Sequence, residues 1–244
     1  MPTEISEKLA TPVSCATCPV GPFSIYGPTL LKEPQAITSC RVAIIKVAAQ
    51  RTIMRENKVP DHGYTIFCGW AHCFLELSGG RRQILSFLIP GDFIPLESLC
   101  FPGAPLPYAV KALTAVSLCK FPLSDMLRLL DRTDEQRSEF RAALQTHCAA
   151  MSRKLADMGR RSAAGRLASL ILETEMRLKK RKLVRNGEFD FPPRQEDIAD
   201  ALGLTPVHVN RTLMDLRRRG LIDFGREKIR ILDLDALRQI AEEE

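Results

Sequence analysis

PRQEDIADALGLTPVHVNRTLMDLRRRGL, residues Pro193–Leu221, is the stretch whose reading decides the fold. It divides into two short helices around Gly203 and Leu204. In Gln195–Leu202, Ile198, Ala199 and Leu202 share one helical face, and Glu196 and Asp197 suit the positive end of the helix dipole. Thr205 is a natural N-cap for the second helix, and Pro206 stands in its first turn, where a missing N–H costs nothing. Val209, Leu213 and Leu216 point back at the first helix until Gly220 ends the second. Val207, His208, Asn210 and Arg211 are left on the early, outward face. Two helices at this spacing predict a helix-turn-helix, whose second helix reaches base edges in the major groove.

An αα-hairpin with a solvated face has the same pattern, so charge has to arbitrate. Residues 159–230 hold 17 Lys or Arg against 10 Asp or Glu, a net +7, while the chain as a whole is only +6. Basicity gathered on one helical module is the footprint of phosphate contact. The expected partner is double-stranded DNA.

The 244 residues suit two domains, and 45% hydrophobic content is ample for a core. No leader-like apolar run follows a charged N-terminus, and no stretch approaches the ~18 apolar residues of a membrane span, so a cytoplasmic protein with no membrane partner is expected. Eight cysteines in such a chain read as reduced thiols or metal ligands. No P-loop, GxGxxG, GxSxG or HExxH motif is present, so no enzyme is expected.

Residues 1–35 are expected to be irregular, punctuated by Pro12, Pro19, Gly21, Pro22, Gly27, Pro28 and Pro34, and they carry Cys15-Ala-Thr-Cys18. Residues 36–123 alternate β-rich runs (Val42–Val47, Tyr64–Phe67, His72–Leu77, Gln83–Ile89, Ala109–Leu113, Val116–Phe121) with turn residues, which predicts an antiparallel roll or barrel; Arg41–Arg55 is ambiguous and could be partly helical. Residues 124–158 are helical. Phe140, Leu144, His147, Met151, Lys154 and Met158 recur at four and three, flanked by Leu155, a seam that fits a two-stranded coiled coil and hence a homodimer; packing within one chain is the alternative. Residues 159–244 complete the DNA-binding domain. A helix over Ser162–Arg181 supplies Leu167, Leu170 and Ile171 to a second core, Lys179–Lys182 is expected to form a solvated face that could also touch phosphate, Ile222–Ile231 is a hairpin turning near Gly225–Lys228, and Leu232–Glu242 closes the chain as a helix.

Three segments carry a resemblance to a known family. Gly80–Phe93 (GRRQILSFLIPGDF), Ala112–Pro122 (ALTAVSLCKFP) and Asp197–Thr205 (DIADALGLT) with Asn210-Arg211 are similar to the roll and helix-turn-helix of the CRP/FNR family of transcription regulators. The resemblance implies an α+β fold: an N-terminal antiparallel β-roll like a cyclic-nucleotide-binding domain, a long dimerisation helix and a C-terminal winged helix-turn-helix. It further implies an effector-gated homodimer that binds a palindromic operator and recruits or blocks RNA polymerase. Family recognition helices carry a Glu where this chain has Val207, with the later pair matched by Asn210 and Arg211. Arg211 is therefore the leading base reader, Asn210 and His208 the next, with Val207 able to touch a thymine methyl but not to accept from cytosine.

For the effector, a cyclic nucleotide is not expected, because a buried cyclic phosphate needs an arginine and none lies between Arg82 and Arg128. The FNR branch implies a [4Fe–4S] cluster on four cysteines. Cys15 and Cys18 match the first two and Cys119 the fourth; Tyr26 stands where related members carry the third, leaving Tyr26 or Cys40 to complete the set. A degenerate sensor needing no ligand, thiol redox sensing and zinc remain open, as does, in another class, a scaffold that binds nucleic acid without sequence preference. His147 is read as a packed helix residue. Cys68, Cys73, Cys100 and Cys148 are read as packing or surface residues, as are His62 and His72.

Overall fold

A computed structural model describes residues 14–243. Contacts divide the chain into two units, one made of residues up to Gly80 with Leu85–His147, the other of Arg81–Ile84 with Cys148–Glu244.

In the first unit, strands β1 (Ala43–Val47), β8 (Val116–Pro122), β3 (His62–Cys68) and β6 (Phe93–Ile94) form one sheet in that order, and β2 (Thr52–Met54), β7 (Ala109–Ala112), β4 (Ala71–Glu76) and β5 (Arg82–Leu88), whose first three residues are assigned to the second unit, form another. The strands pair antiparallel, with Ile44 opposite Cys119 and Thr65 opposite both Cys119 and Phe93. This is the expected roll, and Ala43–Val47 and Thr52–Met54 resolve the ambiguous 41–55 stretch as strand. Ile66, Val110, Ala112 and Leu118, each at 0% exposure, centre one apolar core. The Gly91-Asp92 turn is held by the Asp92 carboxylate, which accepts from Ile89 N at 2.8 Å, and by Gly91 N donating to Ile66 O at 2.8 Å.

The expectation of an irregular segment over residues 1–35 needs correction; Pro12 and the rest of 1–13 lie outside the described residues. Two short helices, α1 (Gly27–Lys32) and α2 (Pro34–Cys40), follow two 3-10 turns at Cys15–Thr17 and Gly21–Phe23. Pro28 and Pro34, read as breakers, stand in the first turns of these helices, where proline costs no hydrogen bond. Gly27 is required by close approach, since a Cβ there would sit 2.2 Å from Pro22 O. Val20, Tyr26, Leu30 and Ile37 pack from this segment against Phe67, Phe121 and Met126.

Helix α3 (Leu123–Leu130) buries Leu123, Met126, Leu129 and Leu130. Helix α4 (Asp134–Arg160) follows, two residues longer than expected at its C-terminal end, and its residues divide between the units at His147.

In the second unit, α5 (Ala163–Lys180) starts at Ser162, whose hydroxyl accepts from Gly165 N. It buries Leu167, Ala168, Ile171 and Leu178, whereas Leu170 is only half-buried and Lys179 and Lys180 are exposed. Then come β9 (Glu188–Asp190), α6 (Gln195–Leu202), α7 (Pro206–Arg218), β10 (Ile222–Gly225), β11 (Lys228–Ile231) and α8 (Leu234–Glu242). Strand β9 was not expected; it joins the hairpin as a third strand, Phe189 opposite Ile229. Helix α8 begins after Asp233, whose carboxylate accepts from Ala236 N, two residues later than expected. Within this unit Arg82 donates to Asp197 at 2.7 Å and to Asp200 at 2.5 Å.

Candidate nucleic-acid interface and sensor residues

Helix α6 is closed at its start by Asp197, whose carboxylate accepts from Arg194 N at 2.9 Å, and at its end by Gly203 in the left-handed region at φ 65°. The chain then enters α7 with the Thr205 hydroxyl accepting from His208 N at 3.2 Å. Thr205 is thus a cap rather than a free hydroxyl. Val209, Thr212, Leu213 and Leu216 turn the inner face of α7 into core. That fixes which residues face outward: Val207 is 80% exposed, and Asn210 and Arg211 are exposed beside it, with His208 half-buried.

The arginines of α7 are not equivalent. Arg218 and Arg219 pair with Asp215, and Arg217 pairs with Asp223 at 3.1 Å while lying over the Phe224 ring. Arg211 makes no ion pair or hydrogen bond among the described residues. Asn210 accepts through Oδ1 from Gln195 Nε2 at 3.1 Å. Gln195 is the contributor that sequence reading missed; its position at the start of α6, facing the first turns of α7, was the available signal. In the wing, Arg226 and Glu227 turn the β10–β11 hairpin with φ 51° and 61°, and Glu188 on β9 ties down Lys228 and Arg230. Those two cations hold Glu188 below the usual carboxylate range.

The thiols sit elsewhere, in the first unit. Cys15 and Cys119 are buried and Cys18 half-buried in one apolar cluster. They stand near enough that charge on Cys18 or Cys15 raises the Cys119 pKa. Burial pushes the Cys119 thiol up to about 12 and raises Cys18 as well, partly offset at Cys119 by Arg41 and at Cys18 by the amides of Val20 and Gly21. Gly21 N reaches Cys18 Sγ at 3.2 Å.

These residues do not fit a cluster on four thiolates. Tyr26 is buried, its hydroxyl donates to Thr65 Oγ1 at 2.9 Å, and its ring packs 5.3 Å from Phe121; desolvation raises its pKa, so it stays a phenol. Cys40 feels Asp125 and Arg128 rather than the other thiols. Among the described residues no three His, Cys, Asp or Glu side chains are placed to share a metal ion.

A cyclic phosphate fits no better. The Gly91–Tyr108 segment has no arginine, and Leu96, Leu99, Leu106 and Tyr108 are buried in it. The Tyr108 hydroxyl donates to Glu97 at 2.5 Å, whose other oxygen lies 3.7 Å from His147 Nε2 on α4. His147 thus meets a carboxylate of its own chain. Cys68, Cys73, Cys100 and Cys148 are free thiols, and His72 is buried.

Two family models match this chain: the cyclic nucleotide-binding domain over residues 44–133 and the Crp-like helix-turn-helix domain over 165–240. The chain belongs to the CRP/FNR family of transcription regulators. Among CRP/FNR relatives, it is 28% identical to the transcriptional activatory protein AadR of Rhodopseudomonas palustris, over 78% of this chain and 77% of that one. It is likewise 28% identical to the nitrogen fixation regulation protein FixK of Rhizobium meliloti, over 95% and 96% of the two chains. The solved structure of FixK2 from Bradyrhizobium japonicum superposes with a TM-score of 0.73 at 24% identity, over 83% of this chain and 98% of that one, a likeness of fold. DNA binding through the helix-turn-helix follows from membership. No helix among the described residues is long and apolar enough to cross a membrane.

Proposed function

We propose that the chain works as a homodimer that reads a palindromic operator with Arg211 and Asn210, and regulates transcription by recruiting or blocking RNA polymerase in the cytoplasm. The observation that carries this is Arg211: an exposed guanidinium with no partner among the described residues, on a helix whose opposite face is core and whose other arginines are all engaged by carboxylates. A guanidinium so placed suits the O6 and N7 acceptors of guanine. Val207 offers a methyl surface for thymine, while Thr205 and His208 hold and flank the helix start. Arg211→Ala should weaken binding by about 1–3 kcal/mol at one base pair of each half-site. Selection from a random duplex pool, followed by anisotropy titration at fixed salt with specific and scrambled competitors, reads this; an unchanged base preference removes Arg211 from the reader, and equal competition by scrambled DNA makes the chain a non-specific scaffold.

For the effector we propose redox state, set by oxygen, nitric oxide or peroxide, acting on Cys15, Cys18 and Cys119 as thiols. Two thiols oxidised by peroxide lose two protons and two electrons to give one disulfide and two waters. Support comes from the mutual proximity of the three sulfurs in one cluster. Mass spectrometry after peroxide treatment should find a disulfide within this set and a changed operator affinity that dithiothreitol reverses. No such bond, with affinity unchanged, leaves a regulator whose sensor site is degenerate; iron and sulfide bound after anaerobic purification would instead mean a cluster.

A further inference from the structure

Gln195 stands at the first position of α6, and its side-chain amide reaches across to α7, where Nε2 donates to Asn210 Oδ1 at 3.1 Å. Neither residue belongs to the core; both are exposed. An exposed pair of amides ordinarily trades its hydrogen bond for water with little change in free energy. Two features set this pair apart. Both ends rest on capped helices, α6 through the Asp197 carboxylate on Arg194 N and α7 through the Thr205 hydroxyl on His208 N. The faces behind them are buried, with Ile198, Ala199 and Leu202 on α6 and Val209 and Leu213 on α7. The backbone under the two amides is therefore fixed, and only side-chain rotation is left.

We infer that Gln195 is a positioning residue that sets base specificity through Asn210, by deciding which end of the Asn210 amide faces the duplex. The inference rests on the proposed reading of Asn210 as a base contact. An asparagine amide is two-sided, with an oxygen that accepts at one corner and an NH₂ that donates at the other. Holding the oxygen toward α6 leaves the NH₂ turned away from it. In a groove from which docking expels water, a donor set against a donor has no solvent to repair the mismatch, so orientation becomes selectivity. Without Gln195, a half-turn of the side chain exchanges the two corners, and Asn210 suits either kind of base edge.

Selection of operators from a random duplex pool, with the full chain and three single variants of it, tests this. Asn210→Ala locates the base pair concerned, as the position in each half-site where preference flattens. Gln195→Ala should reduce discrimination there by roughly fivefold or more, the scale of one specific base contact. The position read by Arg211 and the melting temperature should not change. Gln195→Glu is the directional test. A carboxylate only accepts, so it draws the Asn210 NH₂ toward α6 and turns the oxygen outward. Preference should then move toward cytosine and adenine, whose amino groups donate. The added charge lowers affinity for all duplexes alike, because phosphate contacts carry no sequence information, and so does not mimic that change. Two results overturn the inference and leave Asn210 as a reader. One is that both Gln195 variants keep the parent's ranking at the Asn210 position. The other is that Gln195→Ala weakens all sequences equally, the mark of a phosphate contact. No flattening by Asn210→Ala overturns the inference together with the reading it rests on.

Discussion

The reading role proposed for Arg211 rests on what its neighbours on α7 lack: Arg217, Arg218 and Arg219 pair with Asp215 and Asp223. The sequence made Arg211 visible through its place beside the N-terminal turns of a recognition helix, but not the pairing that singles it out, since pairing depends on side chains meeting across the β10 start. Cys119 is a second residue whose character comes from burial. Its folded pKa of about 12 lies above the ordinary thiol value of 9.0. Between those two values the unfolded chain has released the proton that the folded chain keeps, so stability falls as pH rises through this window and is unaffected by Cys119 below it. Tyr26, also raised by burial, adds to the same alkaline limb. Urea midpoints measured from pH 7.5 to 11 should decline, and Cys119→Ser should make the decline shallower; an equal slope in both proteins would deny the thiol this part.

The α6–α7 pair was legible almost to the residue, because each boundary has a local chemical cause: a carboxylate at the start, glycine at the joint, threonine before proline. Gly203 tests that logic. A Cβ there would meet only Met158 Cε at an ordinary 3.6 Å, so the expense of Gly203→Ala is the left-handed backbone alone. It should destabilise the chain by ~1 kcal/mol in denaturant titration; several times that would mean a steric clash instead. Elements that needed distant partners were not legible. Strand β9 has three residues and exists because β11 offers it an edge, and no local pattern announces it. The prolines of α1 and α2 misled for the reverse reason, since a residue that interrupts a helix also begins one, and only packing of Leu30 and Ile37 decides which.

At the scale of the molecule, the stripe Phe140, Leu144, His147, Met151, Lys154 and Met158 is half-buried along α4, and Leu155 beside it is 72% exposed. A heptad-like stripe with a bare leucine at its edge fits the proposed dimer. Leu155→Glu should therefore shift the mass found by sedimentation from two chains toward one and lower operator affinity with it; a single chain already in the parent protein would refute the pairing. The roll and the DNA-binding unit were legible as separate modules from alternation and charge, whereas the thiol site was only half so. Cys15, Cys18 and Cys119 do come together, but that Tyr26 would turn its hydroxyl to Thr65 required the roll to be built first.

The bond from Gln195 to Asn210 has a corollary for operator variation. With one of the two lone pairs on its oxygen engaged by Gln195, Asn210 keeps both N–H donors for a partner, so in its proposed role it favours the acceptors purine N7, guanine O6 and thymine O4 over the amino group of cytosine. Alleles of a promoter that introduce C at that place should therefore lose more affinity than those that exchange A, G or T.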